Sequence, residues 1–125
     1  MEPDTHGAPL RRFVDPAYVP LCANLAEVRE NIDALDRQIV ALLARRGRYV
    51  KDAARFKRDA FEVSAPQRQQ EVLDKVRILA ETEGAYPEVV EAAYRALIAG
   101  FIAREQQDYQ GMQDHQGMVD VQVQP

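Results

Sequence analysis

Cysteine and histidine are nearly absent from this sequence: Cys22 is the lone thiol, and His6 and His115 are the two imidazoles. All three lie in or beside the poorly patterned ends. A disulfide within the chain is excluded, and the folded body has no imidazole for a Ser-His-Asp or Cys-His device. A zinc centre needs several Cys, His or carboxylate ligands converging on one point, so neither a metal nor any other cofactor is expected. No apolar run is long enough to span a bilayer, and the opening MEPDTHGAPL lacks the basic-then-apolar order of a secretion signal. A membrane is therefore not an expected partner, and a cytoplasmic location is the expectation. The net charge of -4 disfavours a general nucleic-acid binder, so the basic cluster RRGRYVKDAARFKR, Arg45 to Arg58, needs a local explanation.

What is present is helix. A chain of 125 residues with 46% hydrophobic residues supports one domain around one core. Proline and glycine sit mostly outside Asn24 to Tyr109, where Ala, Leu, Arg, Glu and Gln dominate and no strand pattern competes. Leu25, Val28, Ile32, Leu35, Ile39 and Leu42 alternate steps of three and four, as a helix packed along a seam requires. Asn24 followed by Glu27 offers a capping box, and the apolar stripe continues through Val50, Ala53, Ala54 and Phe56, so the first helix is expected to run to about Lys57. Ser64, Pro66 and Gln67 mark a second start, with Val72, Leu73, Val76, Leu79 and Ala80 as its buried face and Gly84 as its stop. Pro87 opens a third helix whose apolar face carries Val90, Ala93, Tyr94, Leu97, Ile98, Phe101 and Ile102.

The expected plan is a flexible extension over residues 1–23, a helical domain over 24–110 and a flexible tail over 111–125. A first helix of some thirty-five residues would be about 50 Å long, more than a compact domain of this size can cover. Its seam needs another copy. The expected fold class is all-α, three helices per chain with a long first helix, intertwined as a homodimer.

Helical phase separates the charges. Arg48, Lys51, Arg55 and Arg58 project away from the apolar arc of the first helix and read as a solvated face, whereas Arg46 and Lys57 fall inside it. Their eleven-residue spacing is almost three turns, so two cations flank one inward gap. Bare cations in a core cost several kcal/mol each unless paired. Either internal carboxylates or water satisfy them, or an anionic ligand does. Gln69 within the second helix's stripe, Arg68 at its edge, and Glu105 on the third helix's apolar face are further polar groups where packing calls for carbon. Arg29 lies seventeen residues before Arg46, about 25 Å along the axis, and reaches the same ligand only from another chain.

Between Leu25 and Gln106 these residues resemble the all-helical chorismate mutase family, near its isochorismate-pyruvate lyase branch. The resemblance rests on LAEVRENIDALDRQIVALLARR, YVKDAARFK and VSAPQRQQEVL, and above all on the Arg29, Arg46, Lys57 spacing. It implies that Arg29 of one subunit joins Arg46, Lys57 and Arg68 of the other around a small dicarboxylate, chorismate or isochorismate. Gln69 and the apolar side chains of Phe101 and Ile102 would line the same pocket. Arginine forks suit carboxylates, and a lysine ammonium suits an ether oxygen gathering charge. The implied activity is rearrangement of chorismate to prephenate, with isochorismate cleavage to salicylate and pyruvate as the alternative; a non-catalytic helical dimer or adaptor is a third reading. Two departures stand out. Ala65 and Gln69 replace acidic residues of many mutases, as in the lyase branch, and Glu105 stands where many members carry a glutamine donor, so Glu105 must be protonated or turned away.

Overall fold

The computed structural model describes residues 2–113; residues 114–125, the larger part of the expected tail and the site of His115, lie outside the described residues. Among the described residues the regular elements are all helical: α1 Leu25–Ala53, a 3-10 turn Ala54–Phe56, α2 Ala60–Ser64, α3 Pro66–Glu83 and α4 Pro87–Gln110. The three long helices are the three expected. Asn24 caps α1 by accepting the Glu27 amide at 2.9 Å, and the Glu27 carboxylate answers by accepting the Ala23 amide at 2.9 Å. Gly84 closes α3 at φ 72°, a left-handed conformation in which its N–H reaches the carbonyls of Ala80 and Glu81. Pro87 then starts α4 in its first turn.

Two expectations are corrected between α1 and α3. The first helix stops at Ala53, and Lys57 stands beyond the 3-10 turn on extended backbone, φ -96° and ψ 140°. The cause lies in Asp59, whose side chain accepts the Glu62 amide at 2.9 Å and starts the unexpected short helix α2, so the chain has to leave α1 first. The box expected from Ser64 and Gln67 does not form, because Ser64 already belongs to α2 and donates its hydroxyl to the Phe61 carbonyl at 2.8 Å. Ala65, left-handed at φ 41°, turns the chain directly from α2 into α3.

The chain divides into two compact units, Met1–Arg45 and Arg46–Pro125. In the first, the Thr5 carbonyl accepts the Ala26 amide at 2.7 Å and ties the leading segment to the start of α1. The seam along this part of α1 is bare: Ile32, Leu35, Ile39 and Leu42 are 50–57% exposed, and α1 contributes no buried residue. In the second unit α3 packs on α4, and both α2 and the 3-10 turn pack on α4. Ala54, Val63, Leu73, Val76, Ala80 and Ile98 form its core. Leu79 and Phe56, expected on buried faces, are mostly exposed. A single facing helix covers a stripe narrower than the apolar arc each segment offers.

Candidate active site

Seven of the eight expected site residues line one cavity of about 340 Å³ within the second unit. Arg46 comes from α1, Lys57 from the extended residue after the 3-10 turn, Arg68 and Gln69 from the first turn of α3, and Phe101, Ile102 and Glu105 from α4. Val50, Ala53, Val63, Val72 and Ile98 supply apolar wall between them. The eighth, Arg29, lies in the first unit on an exposed position of α1. Shortening α1 therefore does not remove Lys57 from the site. The 3-10 turn carries it there by a different path from the helical phase that pointed to it.

Each polar group in the cavity is held differently. The half-buried Arg46 guanidinium lies over two rings of α4, 5.7 Å from the centre of Tyr94 and 5.3 Å from that of Phe101. Face-on rings attract the cation without neutralising it, so its donors remain free for an anion. The approach depends on Gly47: a Cβ there would meet Phe101 at 3.0 Å. The Lys57 ammonium donates to the Glu62 carbonyl at 3.2 Å. Neither Arg46 nor Lys57 has an ion-pair partner among the described residues. Arg68 is exposed at the rim and only loosely paired, 3.7 Å from Glu71. Gln69 donates its amide to the Ser64 carbonyl, which leaves its side-chain oxygen as an acceptor.

Glu105 is the one buried charged residue among those described, 5% exposed, and its Oε2 has no hydrogen-bond partner. Burial pushes its pKa above the ordinary glutamate range; Lys57 opposes that rise and Asp108 adds to it. A raised pKa weakens the carboxyl as a counter-charge to Arg46, Lys57 and Arg68, which line the same cavity. The cavity keeps a net positive field inside an apolar wall, which suits an anion of small-molecule size. In its protonated form Glu105 would also supply a hydrogen-bond donor.

Sequence reasoning missed four contributors. Tyr94 was read as part of an apolar face, although its seven-residue offset from Phe101 puts both rings on one side of α4, where a cation can lie across them. Gly47 has no side chain for helical phase to place, so its role in admitting Phe101 carries no sequence signal. Val63 and Ser64, which line the cavity, belong to α2, and five residues are too few to produce a periodic signal.

The fold and site define a helical domain built around a cationic, apolar-walled pocket that needs no thiol or imidazole. This chain belongs to the chorismate mutase type II family, which it matches over residues 28–106. It is 38% identical over 84 residues to the isochorismate pyruvate lyase of Pseudomonas aeruginosa, an alignment covering 67% of this chain and 83% of that protein. It is 36% identical over 56 residues to the chorismate mutase of Methanocaldococcus jannaschii, covering 44% of this chain and 57% of that one.

Proposed function

We propose that this chain is a chorismate mutase that acts as a homodimer with active sites shared between subunits. The observation that carries the reading is the convergence of Arg46, Lys57 and Arg68 on one apolar cavity beside a buried Glu105 that resists ionisation. Chorismate brings two carboxylates and an ether oxygen. The arginines grip the carboxylates and hold the ring in a compressed conformer, and the Lys57 ammonium faces the ether oxygen. In the transition state the carbon–oxygen bond breaks as a carbon–carbon bond forms. No proton leaves the substrate and no external electron acceptor is required. Charge gathering on the departing oxygen meets Lys57 and the Glu105 acid, groups already oriented, so the site stabilises the transition state more than the ground state. Arg29 of a second copy completes the cage, and the bare seam of α1 supplies the apolar surface that pairing would bury.

A second reading, isochorismate-pyruvate lyase, is favoured by Ala65 and Gln69 at the α2–α3 junction and by the longer alignment with the Pseudomonas aeruginosa protein. It asks for nearly the same cage around a breaking carbon–oxygen bond. Supplying the purified protein with chorismate and isochorismate in separate assays distinguishes them. Prephenate from chorismate is the expected product; salicylate with pyruvate from isochorismate alone would transfer the assignment to the lyase, and no product from either would end both readings.

A further inference from the structure

We propose that Tyr109 is a positioning residue for Lys57. Lys57 does not ride on a long helix, so something other than helical geometry must fix its place. Its own N–H donates to the Ala54 carbonyl at 3.2 Å, and its ammonium to the Glu62 carbonyl at 3.2 Å. The next residue, Arg58, donates its amide and its guanidinium to the Glu62 carboxylate, at 3.3 Å and 2.8 Å. Every one of these partners lies between residues 54 and 62, so the whole stretch can shift together without breaking any of them.

The Tyr109 hydroxyl is different. It donates to the Arg58 carbonyl at 2.7 Å across 51 residues of sequence. Among the described residues it is the hydrogen bond that ties this stretch to α4, the helix that carries Glu105 one turn earlier on the same side. Burial of Ala54 and Val63 presses the stretch onto the core, but apolar contact is non-directional and leaves sliding and rotation unset. A directional hydrogen bond at the Arg58–Asp59 peptide, one residue beyond Lys57, restrains both, and with them the distance from the ammonium to the other groups of the cavity. This inference rests on the reading that Lys57 faces the breaking bond, where a small misplacement weakens the transition state more than ground-state binding.

The test uses the full chain and the variants Tyr109→Phe, Lys57→Ala and the double variant, with steady-state kinetics and amide hydrogen exchange. Tyr109→Phe keeps the ring and removes the hydroxyl. The expected result is a roughly tenfold fall in kcat with KM changed less than about twofold, the size one lost hydrogen bond can transmit. Exchange should quicken over residues 58–64 and stay unchanged over the α3 core. In the Lys57→Ala background Tyr109→Phe should add no further loss to the residual turnover, because the ammonium it positions is gone. An unchanged kcat, a full additional loss in that background, or unchanged exchange over 58–64 would overturn the proposal. If the parent protein converts neither substrate, the functional reading falls by itself, and the exchange comparison still decides whether Tyr109 holds the Lys57 stretch.

Discussion

Glu105 is the residue at which chemistry and stability meet. Its carboxyl is buried, its Oε2 is without a hydrogen-bond partner, and its pKa is shifted above the ordinary glutamate range, chiefly by burial. A folded-state value raised above the unfolded one means the native state binds its proton more tightly. The favourable contribution is complete in acid, below the unfolded value, and is lost as pH climbs through the folded one. Glu105→Gln should therefore be more stable than the parent at mildly alkaline pH and converge with it in acid, as thermal melting across pH would record. The same proton sets the proposed chemistry. Turnover of the parent should rise toward acid, while the glutamine variant, a donor at every pH, should give a flatter profile. A parent profile flat through neutrality, or a variant with the parent's profile, would remove Glu105 from the donor role.

At the scale of elements, legibility followed periodicity. α1, α3 and α4 were readable because each repeats its apolar residues over several turns, and their Asn24, Gly84 and Pro87 boundaries follow from capping chemistry. Phase counting also found Arg46, Gln69 and Glu105. The stretch from Ala54 to Ala65 was not readable. A stripe through Phe56 continued the helical pattern, and only the Asp59 cap, a single local hydrogen bond, decided where the chain broke. Lys57 was placed in the site by a helix that does not extend that far.

The junction closing that stretch is strained. Ala65 takes a left-handed conformation that costs a residue with a Cβ roughly 1–2 kcal/mol, partly offset by its smaller unfolded-state freedom relative to glycine. Ala65→Gly should stabilise the protein by roughly 0.5–1 kcal/mol in chemical denaturation. A loss of stability would show that the methyl group, which lines the cavity, contributes more through packing than the backbone costs.

At the scale of the whole molecule, the exposed seam along α1 and the spacing of Arg29 from Arg46 point the same way. Ile32, Leu35, Ile39 and Leu42 remain half exposed in one chain, a contiguous apolar stripe of the kind that soluble proteins cover by association. In the proposed dimer the helix that buries this stripe also delivers Arg29 to the neighbour's cavity, so pairing and catalysis become one property. The proposal of such coupling starts from the seventeen-residue spacing between Arg29 and Arg46, too long for both to reach one ligand from the same helix.

Subunit mixing tests this most directly. Arg29→Ala and Lys57→Ala proteins, each expected to keep only a small residual turnover by itself, are unfolded together at equal amounts, refolded and assayed. If each site takes Arg29 from one copy and Lys57 from the other, half the dimers are mixed and each holds one intact site, so about one quarter of the parent activity should return. A mixture no more active than the two variants alone, with mixed dimers present, would contradict the shared site.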